Sequence, residues 1–219
     1  MNEKKNLTIE ETFALAVRNH KENNLQVAEN LYKKILNTNP NSAGVHNNLG
    51  MMYKTLEEYQ KAISCYEKAI QIDPNYAESH NNLGLTFIKV REYQKAISCF
   101  QKAIQHKPDY ASAHSNLGIV LKELGEYQKA ISCYEKAIQI DPNYANVYYN
   151  LGNILQELRQ LQKAKSCYEK LLNLDPTYKK GYSGYGNLLL KITQHNKGLA
   201  YIRKGDGVIR FTQNDVKII

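Results

Sequence analysis

A chain of 219 residues with 42% hydrophobic side chains, 12 glycines and 5 prolines has ample apolar material to bury and too little of the disorder-prone composition to stay unfolded. No run of about 18 apolar residues occurs, so no membrane contact through a spanning helix is expected, and the leading MNEKKNLTIE lacks the apolar core of a secretory leader, so a cytoplasmic protein is expected. The net charge of +8 raises the question of nucleic acid, and its placement along the chain argues against it.

Residues 1–8 read as a polar lead-in. Beyond them a period of 34 organises the chain: Pro40, Pro74, Pro108, Pro142 and Pro176 fall in one column. Leu49-Gly50, Leu83-Gly84, Leu117-Gly118 and Leu151-Gly152 fall in another, and KAISCYEKAIQIDPNY is read at 61–76 and again at 129–144. A fixed period of this size marks stacked units rather than one globular core. The first unit, 9–42, is degenerate: Ala28, Tyr32 and Pro40 keep the register, but Ala16 stands where later units have Gly and Asn19 where the next two units have the aromatics Tyr53 and Phe87. A worn, polar terminal unit suits a flank that faces water.

Four regular units fill 43–178, each reading as two amphipathic helices. In the first, helix A is expected at about 43–56, with Leu49, Tyr53 and Leu56 on its apolar face, and helix B at about 60–72, with Ala62, Ile63, Tyr66, Ala69 and Ile70. Gly50 and Ala62 are small where the two helices would approach. A mid-helix glycine costs about 1 kcal/mol relative to alanine, so the packing must return more. Pro74 stops helix B, because it cannot extend the ladder and it pushes Asp73 out of the α region. The A–B turn has glycine only at Gly125; Glu57, Arg91 and Arg159 fill it elsewhere, with slight strain expected. A degenerate sixth pair spans 179–205, where Tyr182, Tyr185, Gly186 and Leu189 keep helix A and helix B is expected to falter at Gly198 and Gly205. The tail, 206–219, changes character: Val208–Phe211 and Val216–Ile219 are short β-branched and aromatic runs with strand character.

With Ala43 as position 1, the unit carries His46 (4), Leu49 (7), Gly50 (8), Tyr53 (11), Ala62 (20), Tyr66 (24), Ala69 (27) and Pro74 (32). On these residues it resembles the tetratricopeptide repeat family over roughly 9–205, with only position 4 departing repeatedly, where histidine replaces the usual bulky aromatic. The resemblance implies an all-α fold, a right-handed superhelical solenoid of helix-turn-helix tetratricopeptide repeats, followed here by a short non-helical tail.

Several constellations resolve into packing or surface. Cys65, Cys99, Cys133 and Cys167 are again 34 apart, hence on the order of 10 Å or more apart given usual helix spacings. That is beyond a disulfide, which takes Cα atoms within about 7 Å, and beyond a shared zinc. The same geometry removes His46, His80 and His114 as one metal site and leaves them as packing residues. The pairs Lys61/Lys68, Lys95/Lys102, Lys129/Lys136 and Lys163/Lys170, mixed with Glu67, Glu135 and Glu169, read as a solvated outer face; without interleaved aromatics, nucleic acid is not expected there. No GxGxxG, phosphate loop, GxSxG, HExxH or CxxC occurs, so neither catalysis nor a cofactor is expected.

Positions 2, 6, 9 and 13 of helix A share a face away from positions 7, 8 and 11, and in the family that face lines the inner groove. Position 6 is Asn48, Asn82, Asn116 and Asn150. Each amide offers donors and an acceptor that match an extended peptide backbone. The row is similar to one in the repeat arm of O-linked N-acetylglucosamine transferase. Asparagine at position 6 is also a plain preference of the repeat, and both readings stand. Position 9 adds Met51, Leu85, Ile119 and Asn153, position 5 adds Asn47 and Asn81, and position 12 adds Lys54 and Lys122. The basic set that the family uses to hold a terminal carboxylate is incomplete. The expectation is a non-catalytic scaffold that binds an extended peptide or partner protein in this groove. The alternative is the substrate-recruiting arm of a glycosyltransferase or other modifying enzyme. Self-association through the tail or the array ends is a third expectation.

Overall fold

The computed structural model describes residues 7–206 and two strands, 209–212 and 215–218. The described residues fall into two compact units. The first holds α1 (Ile9–Lys21), α2 (Leu25–Thr38), α3 (Ala43–Thr55), α4 (Tyr59–Ile72), α5 (Ala77–Lys89) and α6 (Tyr93–His106). The second holds α7 (Ala111–Glu123), α8 (Tyr127–Ile140), α9 (Ala145–Glu157), α10 (Leu161–Leu174), α11 (Lys179–Lys191) and α12 (His195–Asp206), then β1 (Ile209–Thr212) and β2 (Asp215–Ile218). Odd-numbered helices are the A helices and even-numbered ones the B helices. Each unit is a file of three A–B hairpins.

Within every regular hairpin the two helices close over a small residue on A and a ring on B. A Cβ added at Gly50, Gly84 or Gly118 would lie 2.7 Å from the ring of Tyr66, Phe100 or Tyr134, respectively. Ala62, Ala96, Ala130 and Ala164 are fully buried on the B side of the same contact. This close approach is what offsets the helix cost of the glycines.

The A–B turns adopt the expected left-handed backbone. Glu57, Arg91 and Arg159 have φ of 59°, 62° and 57°, and Gly125 has 76°. Asn23 (63°) and Thr193 (64°) do the same in the terminal hairpins, Asn being a tolerant residue there and Thr an intolerant one. The reversal lets the next N–H reach five residues back, as Glu58 N does to the Tyr53 carbonyl (2.9 Å) and Gln160 N to that of Leu155 (2.8 Å), which satisfies the helix end. Arg159→Gly should therefore stabilise the second unit by about 0.5–1 kcal/mol, read as a higher melting temperature. An unchanged or lower value would mean that the turn stores no strain.

The B–A turns are held by side chains. Asp73, Asp141 and Asp175 each accept the N–H two residues on, at 3.0, 3.0 and 2.9 Å. Position 4 then reaches back over the turn: the His46 and His80 Nε2 atoms bond the Pro40 and Pro74 carbonyls at 3.0 and 2.9 Å, and the Tyr148 hydroxyl donates to that of Pro142 at 3.1 Å. The position-4 side chains are thus polar anchors of the turn as well as packing residues. At the start of α1, Thr8 and Glu11 form a reciprocal capping box, and the T-x-x-E spacing that signals it is present in the sequence.

Helix B of the sixth pair does not falter: α12 is continuous to Asp206. Its glycines are contact points. A Cβ on Gly198 would lie 2.9 Å from the Gly186 carbonyl, and one on Gly205 would lie 2.7 Å from that of Lys179. Backbone meets backbone here, which only glycine allows. The tail's strand character is realised as an antiparallel β1–β2 hairpin with Ile209 opposite Ile218 and Thr212 opposite Asp215. Val208 and Ile219 lie outside the described residues.

Candidate functional site

Helix contacts separate the two rows. In the first unit α1 touches α3 and α3 touches α5; in the second α7 touches α9 and α9 touches α11. Each B helix packs on its own A helix and, where one follows in its unit, on the next A helix, and among the described residues no B–B pair packs comparably. The A helices therefore form a wall of their own in each unit, and that wall carries the residues singled out from the sequence.

In the first unit the wall presents Asn48 and Asn82, both partly exposed, with Met51 37% exposed and Leu85 and Lys54 half-buried. In the second it presents Asn116, Asn150, Ile119, Asn153 and Lys122, all half-buried. Asn47 and Asn81 do not belong to this open set. They are 5% and 4% exposed. The Asn47 oxygen accepts from the Ser79 hydroxyl (3.1 Å) and from Asn82 Nδ2 (3.0 Å), and its own Nδ2 meets Met51 Sδ at 3.8 Å. Position 5 turns between neighbouring A helices, and a buried amide there is committed to joining α3 to α5.

These bonds also fix which way the wall amides face. With Asn82 Nδ2 held by Asn47, its oxygen takes no side-chain or backbone donor among the described residues. Asn153 is held the other way: the Tyr168 hydroxyl donates to its Oδ1 at 2.7 Å and lies 3.4 Å from Gln156 Oε1. The Asn153 NH2 group then faces outward. Tyr168 sits at position 24, the register of Tyr66, and this bond gives it a role beyond packing. The signal that reveals its second role is Asn153 itself, a polar residue at position 9 directly over a position-24 tyrosine.

Beneath the second wall lies a tyrosine cluster. Tyr168 stacks on Tyr185 (6.1 Å between centroids), Tyr185 meets Tyr201 edge-on (4.8 Å), and Tyr149 lies against Tyr178 (5.4 Å). The Tyr185 hydroxyl donates to Glu169 at 2.6 Å. Burial raises the Tyr168 hydroxyl's pKa well above the ordinary tyrosine range, so it is a donor at any physiological pH.

Burial likewise pushes the Cys65, Cys99 and Cys167 thiols up to about 11. They stay protonated and poor as nucleophiles. Among the described residues no group of three or more His, Cys, Asp or Glu side chains is arranged to hold a metal ion, and no helix is long and apolar enough to cross a membrane.

Family models described as tetratricopeptide repeat match residues 43–76, 77–110, 99–132 and 145–178, and one described as TPR repeat matches 120–159. Together they run unbroken over 43–178, more than half the chain. No curated protein matches the sequence. Among solved structures, that of MamA is 29% identical, covers 75% of this chain and 96% of its own, and superposes with a TM-score of 0.67. PilF of Pseudomonas aeruginosa covers 88% of both chains at 21% identity and a TM-score of 0.81. YrrB, described as a TPR protein with an unusual peptide-binding site, covers 80% of this chain and 90% of its own at 21% identity and 0.64. At the last two identities the likeness is one of fold.

Proposed function

The chain belongs to the tetratricopeptide repeat family, and on that premise we propose that it is a non-catalytic scaffold whose A-helix wall holds an extended segment of a partner protein. The observation that carries the reading is the repeated amide at position 6, partly exposed on the A-helix wall in every regular hairpin. An extended guest alternates donors and acceptors, and amides at a constant register can meet them. The internal bonds at Asn82 and Asn153 support the same reading. One would offer an acceptor and the other donors, with their orientation set before the guest arrives.

Magnitudes show what else must contribute. Two amide contacts per unit are worth roughly 1–3 kcal/mol net. A micromolar complex corresponds to about 8 kcal/mol. The remainder would come from apolar guest side chains on Met51 and Leu85 in the first unit and on Ile119 in the second.

Asn48 and Asn150 make no side-chain hydrogen bond among the described residues, so truncating them leaves internal bonds intact. The double variant Asn48→Ala, Asn150→Ala should keep its helicity and bind the tightest 12-residue peptide recovered from a random display library about tenfold more weakly. Unchanged affinity by isothermal titration would remove the amides from the mechanism.

A further inference from the structure

Lys54 lies near the end of α3, half-buried on the A-helix wall. The side chains at positions 9 and 12 around it are neutral: Met51 on its own helix, and Leu85 and Ile88 on α5, which packs against α3. Among the described residues no carboxylate pairs with it. Glu22, Glu29, Glu58, Glu78 and Glu92 are each within 3.5 Å of another cation. Lys89, at the end of α5, is exposed and likewise has no acid partner among the described residues. Burial first, and the Lys89 charge second, hold the Lys54 ammonium below the ordinary lysine range. On two helices that pack together, α3 and α5, a half-buried ammonium and an exposed one stand with no acid partner among the described residues, an unfinished arrangement since buried charges are normally paired. An anion reaching both would relieve the desolvation and the repulsion together.

We infer that Lys54 and Lys89 form a carboxylate-accepting point on the first unit's wall, so that the guest held there is an acidic segment with Asp or Glu side chains set among apolar ones. This inference rests on the reading of the wall as a guest-binding face and adds the chemistry of the guest. The apolar side chains would lie on Met51 and Leu85. The acidic one would lie toward the C-terminal ends of α3 and α5, where the helix dipoles alone would not favour it and the lysines must supply the attraction.

The test uses two acetylated, amidated peptides on the full chain, one of alternating Leu and Glu and one of alternating Leu and Gln. At low ionic strength the Glu peptide should bind about tenfold tighter, with the advantage shrinking as salt screens it. Lys54→Met, which keeps the packed stem, should bring the two peptides to within about twofold of each other. Equal affinity for both peptides, or an undiminished preference in Lys54→Met, would overturn the inference and leave the wall as a binding face standing. Should neither peptide bind, the wall reading fails for such guests and a smaller probe decides the lysine point. With lysines 13C-dimethylated, the Lys54 resonance should move on adding millimolar glutarate and stay still in Lys89→Met; no movement in the wild type would overturn the inference.

Discussion

Tyr134→Ala is expected to destabilise the second unit by about 3–5 kcal/mol, while Tyr134→Phe is expected to be neutral or to stabilise by up to about 1 kcal/mol. The side chain is fully buried in α8, and its ring fills the space that the absent Cβ of Gly118 leaves, 2.7 Å from where that atom would stand. Truncation to alanine leaves a void against a glycine, with no side chain able to move in. The hydroxyl, by contrast, is buried without a hydrogen-bond partner among the described residues. The protein already contains the comparison. Phe100 takes the same register position in α6 and is also fully buried. Tyr168, at the same register in α10, should behave differently: its hydroxyl bonds Asn153, so Tyr168→Phe loses an interaction that Tyr134→Phe does not. Urea denaturation of the two Phe variants separates the cases. Equal losses in both would refute this account of the position-24 hydroxyl.

Gly186→Ala is expected to cost about 3 kcal/mol or more, although alanine is the better helix former by about 1 kcal/mol. The added Cβ would lie 2.7 Å from the Gly198 carbonyl and 2.8 Å from the Ile202 nitrogen, so α11 and α12 would have to part. Gly44→Ala makes the control. Nothing lies within 4 Å of a Cβ there, and a gain of a few tenths to about 1 kcal/mol is expected from propensity alone. The regular hairpins should be more forgiving than the last one. Their position-8 glycines face ring edges, and the first hairpin accommodates Ala16 at that register with Ala16 and Tyr32 both fully buried. Native-state hydrogen exchange would show whether Gly186→Ala loosens α11 and α12 alone, as expected, or the whole second unit. Protection in α11 and α12 equal to wild type would refute the backbone-contact reading.

Much of the candidate site was legible as a row of registers. The amides at position 6, the apolar run through Met51, Leu85 and Ile119, and the two lysines at position 12 all lie on A helices with partial exposure. Position 5 was not legible. Asn47 and Asn48 are neighbours of one chemistry, and only their angular offset around the helix sends one into the α3–α5 seam and the other onto the wall. Tyr168 escaped for a related reason: it bonds a residue of another helix, across a contact that a one-dimensional register does not contain.

What the amino-acid order determined by itself was local and periodic: hairpins of fixed length, left-handed turn residues, small-against-ring contacts, proline stops. These follow from steric rules that operate within a few residues or recur with the repeat, so they can be read without coordinates. The tertiary structure alone decided how the polar atoms are shared out. It placed the Asn47 oxygen between Ser79 and Asn82, set the Asn153 amide with a tyrosine hydroxyl, brought the α11 and α12 backbones together at Gly186 and Gly198, and left Lys54 half-buried with no acid partner among the described residues. The physical reason is that hydrogen bonds and desolvation depend on distances of a few tenths of an ångström between residues from separate helices, and those distances exist only once the helices have packed.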